Sequence, residues 1–296
     1  MASAVAVPSR STSVAKREVH VVGKALTYLV LLVFSILMGF PFIWTISSSL
    51  KTPAETQYFP PQIFPAIPQW DNYVHVFAAQ PIAVWFLNSF IIAGLAIPGA
   101  VITGTLVAYS FARFDYPGRD FLFMVLLSTM MIPYEVTLIP QYLIFVQIHW
   151  INTYLPLILP AWGGGGAFTV FLLRQFFMTL PRELDDAASV DGANSFTVLW
   201  SIIAPLSRPA LATVAILLFL STWNDFLGPF IYLSDPRLFT MSVGLRFFQT
   251  VPESLNVPQD NLLMVATVIM SVPAIVLFFA CQRYFVQGIV LSGLKL

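Results

Sequence analysis

Charge is what this chain has least of. Asp, Glu, Lys and Arg make up 9% of its 296 residues, against about 25% in soluble domains. Basic and acidic side chains number 14 each, so the formal net charge is zero and no bulk attraction to nucleic acid is offered. A single cysteine, Cys281, excludes a disulfide within the chain and any Cys-based metal site. The three histidines, His20, His75 and His149, are scattered without a metal-binding spacing. No phosphate loop is present. Gly163 to Gly166 is followed by Ala167 and Phe168 rather than Lys and a hydroxyl residue, so the chain has no means of its own to hydrolyse ATP. No nucleophile and base cluster in the sequence either.

Apolar residues are what it has most of: 58% are hydrophobic and the mean hydropathy is +0.82. This composition points to an all-α polytopic membrane protein. A helix needs about 20 apolar residues to cross a bilayer. Six runs qualify, at about 24–48, 84–109, 121–143, 152–175, 207–231 and 261–286. The third and fourth carry Pro133, Pro140, Pro156 and Pro160, which predict kinks or breaks because proline removes a backbone donor. Gly163 to Gly166, inside the fourth, predicts close helix contact or a flexible break, with substrate lining as an alternative. Residues 1–23 read as a short cytoplasmic tail and 24–296 as the membrane domain. The first run reads as a retained anchor rather than a cleaved signal. With the N-terminus inside, Lys51, Arg237 and Arg246 are the only outer members of the 14 Lys and Arg residues, leaving 14 − 3 = 11 inside. That asymmetry places both termini in the cytoplasm.

One inner segment is unlike the rest. Pro181 to Ala193 reads PRELDDAASVDGA, a charged stretch between two apolar runs that must face water or a protein partner. Pro181 suits a helix start. Glu183, Asp185 and Asp186 complement the positive end of the helix dipole. Ala187, Ala188 and Gly192 leave room for a close-packed surface, with Asp191 at the far end. A second amphipathic stretch then runs to Pro205, so the segment 181–205 reads as a docking helix and its return. The alternative is a helix lying in the headgroups. Ionisable groups near the membrane are functional candidates by default, and here they are Glu135 and Asp225. With Tyr134, Trp223 and Asn224 they form a candidate polar lining for a sugar-like ligand; a belt of interfacial aromatics is the alternative reading.

The segment from Asp186 to Pro205 resembles the EAA loop of binding-protein-dependent ABC importer permeases. Asp186 stands where that pattern has Glu, which keeps the charge on a shorter arm, and Ala204 stands where it has Leu. Further stretches resemble the carbohydrate-uptake branch, in the maltose-type second permease subunit. They are IWTISSSLK at 43–51, NSFII at 88–92, AYSFARF at 108–114, Met131 to Pro133, FLLRQFFMTLP at 171–181, WNDF at 223–226 and QRYFVQG at 282–288. The resemblance covers about residues 24–293. It implies six transmembrane helices with a cytoplasmic EAA coupling helix in a bacterial inner membrane. It also implies a heterodimer with a homologous permease, two ATPase subunits that bind ATP and Mg, and an extracytoplasmic solute-binding protein. In such a system Glu183, Asp185, Asp186, Ala187, Ala188, Asp191 and Gly192 would carry coupling to the ATPase. The implied cargo is a sugar or sugar derivative; glycerol-3-phosphate or a related phosphodiester is the alternative within that branch. An ion-coupled secondary transporter would want midplane acidic groups and inverted repeats. A membrane-embedded enzyme would want clustered catalytic groups, and a scaffold subunit would show no solute-dependent ATP turnover.

Overall fold

The computed structural model describes the backbone of residues 11–249 and 258–293 and the side chains of 23–24, 26–249 and 258–282. Every regular element among them is helical. In chain order these are α1 (Ser11–Ser49), α2 (Pro53–Thr56), α3 (Asn72–Ala79), α4 (Ile82–Arg113), α5 (Arg119–Ser128), α6 (Tyr134–Gln147), α7 (Leu155–Ile158), α8 (Ala167–Phe177), α9 (Glu183–Val190), α10 (Ser195–Val198), α11 (Ala204–Leu206), α12 (Arg208–Asn224), α13 (Leu227–Tyr232), α14 (Met241–Gly244) and α15 (Asp260–Gly293). The stretch read as a tail to residue 23 is therefore helical from Ser11, and residues 1–10 lie outside the described ones.

Among the described residues, four helical stretches are long and apolar enough to cross a bilayer: Leu26–Ser49, Ile82–Arg113, Leu155–Phe177 and Asp260–Gln282. Two bent pairs bring the number to six if each is one span. Arg119–Met131 meets Tyr134–Gln147 at 98°, and Ser195–Leu206 meets Arg208–Asn224 at 80°. The first bend falls at Pro133, where Ile132 is forced out of the helical region to φ −84°, ψ 114°. Pro140, expected to break the same run, instead sits inside continuous α6. The fourth run is broken as anticipated: α7, a 3₁₀ turn at Leu159–Trp162 and a glycine turn precede α8. The fifth run was expected to continue to residue 231. Helix α12 stops at Asn224 because Asp225 turns the backbone to an extended conformation, and α13 is a separate short helix.

Helix α4 is the axis of the molecule. It packs along α8 and α12, while α1 lies against α15. Two apolar cores form, one at each end of α4. Val76, Trp85, Met241, Phe248 and Val265 belong to the first; Tyr109, Leu173, Phe177, Leu199 and Ile203 belong to the second. Between them α4 approaches the glycine turn closely. A Cβ on Gly99 would lie 2.1 Å from the Trp162 ring, and one on Gly104 would lie 2.9 Å from the Gly164 carbonyl. Trp162 Nε1 donates to the Leu95 carbonyl (3.1 Å), and the Gly164 amide donates to Thr103 Oγ1 (3.1 Å). Gly164, Gly165 and Gly166 all have positive φ, which glycine adopts without a Cβ penalty. The glycine run thus serves a tight helix contact.

The end of α1 is tied down by polar contacts. Lys51 is 1% exposed; its Nζ donates to the Gln62 carbonyl (2.6 Å) and sits over the Trp44 ring. Burial pushes its pKa below the usual lysine range. Thr52 and Glu55 form a capping box around α2. Glu55 accepts from the Thr52 amide (2.8 Å) and, with its other oxygen, from the Ala66 amide (3.1 Å). The Thr52 amide, first among these contacts, holds the Glu55 carboxyl below its ordinary range. A depressed carboxyl contributes stability above its ordinary pKa, and that contribution is lost as pH falls through the lower, folded value. In Glu55→Gln at neutral pH, the hydrogen-exchange protection of the Ala66 amide should fall roughly tenfold, the scale of a lost bond to a charged group. The unaltered protein should show that loss only on acidification below the ordinary glutamate range, and the variant should show no such step.

Candidate functional site

Two polar regions lie at opposite ends of α4. The first is a cavity of about 270 Å³ lined from five helices and their connections. Ser89 and Ile92 come from α4, Tyr134 and Gln141 from α6, Pro156 and Leu157 from α7. Ser221 and Thr222 come from α12, and Pro229 and Tyr232 from α13; Pro160, Asp225 and Thr240 complete the wall. The broken helices explain the polarity. Where a span stops, its side chains and backbone can face a cavity rather than lipid.

The structure brings Tyr134 and Asp225 together in this wall and separates the other three sequence candidates from it. Asp225 is half-buried, and one carboxylate oxygen accepts from the Gly228 amide (3.1 Å), so it also caps the first turn of α13. Trp223 is 2% exposed and packs rather than lines. Its ring stacks on Phe219 and meets Phe86 edge-on, and Nε1 donates to the Met270 carbonyl (3.0 Å). Asn224 is exposed and its amide returns to the Leu220 carbonyl (2.8 Å). Glu135 is exposed in the first turn of α6, where its charge complements the helix dipole. All three candidates were grouped with the cavity by sequence proximity; the end of α12 and the start of α6 turn their side chains elsewhere.

Two residues that the sequence reading cited only for the resemblance, Asn88 and Ser89, hold the far wall in place. Asn88 Nδ2 donates to the carbonyls of Arg237 (2.8 Å) and Phe239 (2.9 Å). The Met241 amide donates to Ser89 Oγ (2.9 Å). These bonds lay the segment 236–244 across α4 and bring Thr240 to the cavity. The available signal was an Asn-Ser pair inside a long apolar run, since buried polar groups in a span need partners.

The second region is the charged segment from Pro181 to Pro205, read from the sequence as a docking helix and its return. Helix α9 begins at Glu183, with Arg182 rather than Pro181 at its N-terminal boundary. It ends in a Schellman motif: the Gly192 amide bonds the Ser189 carbonyl (3.1 Å) and the Ala193 amide bonds the Ala188 carbonyl (2.9 Å). Gly192 supplies the required left-handed residue, with φ +81°. The helix has two faces. Glu183, Asp186, Ala187 and Val190, at i, i+3, i+4 and i+7, are exposed, as are Asp191 and Gly192; Val190 is 89% exposed. Ala188 is buried in the core with Tyr109 and Leu199. Asp185 also turns inward. It lies 3.3 Å from Arg113 Nε, and it accepts from the Tyr109 hydroxyl (3.3 Å). All seven sequence-selected coupling positions were chosen for charge or small size; the fold leaves Glu183, Asp186, Ala187, Asp191 and Gly192 at the surface and turns Asp185 and Ala188 inward.

The sequence matches the family described as binding-protein-dependent transport system inner membrane component over residues 85–291. Among similar proteins, the arabinooligosaccharides transport system permease protein AraQ of Halalkalibacterium halodurans is 34% identical over 226 residues, 76% of this chain and 79% of that one. The sn-glycerol-3-phosphate transport system permease protein UgpE of Yersinia pestis is 32% identical over 272 residues, 89% of this chain and 94% of that one. The fold is similar to a chain in the crystal structure of a bacterial ABC transporter involved in import of the acidic polysaccharide alginate. The TM-score is 0.79 at 21% identity, covering 95% of this chain and all of that one.

Proposed function

The chain belongs to the family of inner membrane components of binding-protein-dependent transport systems, and from that premise we propose how it works. It is a multi-pass permease subunit of an ABC importer, a family of transport rather than catalytic subunits. That membership replaces the secondary-transporter, enzyme and scaffold alternatives. Its place in the assembly is inferred as follows. It pairs with a homologous permease, takes solute from an extracytoplasmic binding protein, and rests on two ATPase subunits that hold ATP and Mg. Taking each bent helix pair as one crossing gives six spans and puts both termini on one side; the excess of Lys and Arg on the inner segments supports reading that side, with α9, as cytoplasmic. The exposed face of Glu183, Asp186, Ala187 and Asp191, closed by Gly192, is the surface offered to the ATPase. ATP-driven closure of the ATPases would then move α9 and open the cavity outward.

The cargo reading rests on the cavity wall. Its polar side chains are Ser89, Tyr134, Gln141, Ser221, Thr222, Tyr232 and Thr240, and its one ionisable acid or base outside tyrosine is Asp225. Hydroxyl and amide groups suit a neutral polyhydroxylated solute. A phosphate would meet a carboxylate and no cation, an arrangement that repels it. This supports a neutral sugar or oligosaccharide over glycerol-3-phosphate. The test is uptake into proteoliposomes holding the complete complex, with ATP inside and the binding protein outside. Arabinooligosaccharides or other neutral sugars should be taken up with ATP and without an ion gradient. Glycerol-3-phosphate uptake that neutral sugars fail to compete would reverse the cargo assignment.

A further inference from the structure

Helix α4 touches both polar regions. Tyr109 and Arg113 lie at its C-terminal end, against α9; Ser89 and Ile92 lie near its other end, in the cavity wall. It runs unbroken from Ile82 to Arg113, and at 1.5 Å per residue the 24 steps from Ser89 to Arg113 span about 36 Å. One rigid element thus joins the docking segment to the cavity.

Its attachment to α9 is specific. The Arg113 side chain is 5% exposed and lies with Nε 3.3 Å from Asp185. Its guanidinium also donates to the Leu180 carbonyl (3.2 Å), in the turn that leads into α9. Tyr109, one helical turn earlier, is 5% exposed and donates to the other carboxylate oxygen of Asp185. Ala188 packs one turn further along α9 on the same side. Two polar contacts at Asp185, a third to the turn before α9 and the burial of Ala188 therefore hold α9 against α4 from its inner face, while its outer face stays exposed.

We propose that Arg113 and Asp185, assisted by Tyr109, are positioning residues that form the joint through which displacement of α9 is carried into α4 and on to the cavity. The inference rests on α9 being the surface the ATPase grips. A buried ion pair is a poor source of net stability, because desolvation offsets the attraction. What it supplies here is direction: the joint resists sliding of α9 along α4, which the single small contact at Ala188 would not.

The test uses the complete complex in proteoliposomes and reads solute taken up per ATP hydrolysed, a ratio that a purely structural contact would leave unchanged. In R113Q/D185N both charges are removed together, so no unpaired buried charge is left. That variant should accumulate, retain the ATPase on purification, and show uptake per ATP reduced by about tenfold, within the range of ordinary coupling between sites. Tyr109→Phe removes one donor and nothing else, and should lower the ratio by about threefold. A ratio within about twofold of the unaltered complex in R113Q/D185N overturns the joint. Should the double variant fail to accumulate, Y109F decides by the same measurement, an unchanged ratio overturning it. Failure of the docking assignment itself looks different: the ATPase would cross-link to the unaltered permease away from α9.

Discussion

Gly192→Trp is expected to lower uptake by about 100-fold, equivalent to about 2.7 kcal/mol, while the permease still folds and inserts. The reason lies in what surrounds this glycine. A Cβ placed there would meet no atom within 4 Å, so the subunit itself has room for a side chain. The backbone is at φ +81°, a conformation that costs an L-residue about 1–2 kcal/mol. That strain is small beside the whole fold, and it acts on the two amide bonds that end α9. A bulky group would project from the exposed end of α9, on the surface proposed to enter the ATPase. Gly192→Ala separates the two effects, since it carries the strain without the bulk. It should lose only a few-fold in uptake and keep the ATPase bound. The measurements are uptake, thermal unfolding of the purified permease, and retention of the ATPase. Normal uptake by the tryptophan variant would remove Gly192, and with it the exposed face of α9, from the coupling surface.

The sequence states the spans in the plainest terms, because a bilayer demands uninterrupted apolar length. It states the breaks less well. Pro133 marks a sharp bend, yet Pro41, Pro98, Pro140 and Pro273 all lie inside continuous helices. A proline removes one hydrogen bond wherever it sits; whether the chain then turns depends on packing by distant segments. Helix α9 was legible from its charge, its small residues and its closing glycine, but not its facing. Asp185 and Asp186 are neighbours in sequence, and one full residue step on a helix turns a side chain by about 100°. Only the fold reveals that Arg113, 72 positions earlier, waits on one side and solvent on the other. The cavity was half legible for the same reason. Tyr134 and Asp225 reach it, while Trp223 and Asn224 were drawn in by adjacency alone. Asn88 and Ser89 find their partners about 150 positions later, a pairing no local pattern encodes.

Those distant partners set the other large effect. Gly244 packs on Trp85 so closely that a Cβ would lie 2.1 Å from ring atom Cε3 and 2.5 Å from Cδ2. The ring has nowhere to go. Trp85 is 1% exposed, its Nε1 donates to the Pro236 carbonyl (2.8 Å), and Phe247 lies against it. In Gly244→Ala, either the segment 236–244 lifts from α4 or the tryptophan surrenders its hydrogen bond. Overpacking of this kind destabilises by about 1–3 kcal/mol, and the lost bond adds about 1 kcal/mol. Lifting the segment also withdraws Thr240 from the cavity and strains the Ser89 and Asn88 contacts. Gly244→Val should therefore leave little folded permease in the membrane. Gly244→Ala should accumulate at reduced level, unfold at lower temperature, and transport at least about tenfold less. The decisive comparison is with Trp85→Phe, which vacates part of the space that the new methyl enters. If the clash is the cause, G244A combined with W85F is more stable than the sum of the two single effects, since residues in contact couple by about 0.5–3 kcal/mol. Strict additivity would place the defect in the backbone of α14 instead, and would separate the packing of this segment from the shape of the cavity it helps enclose.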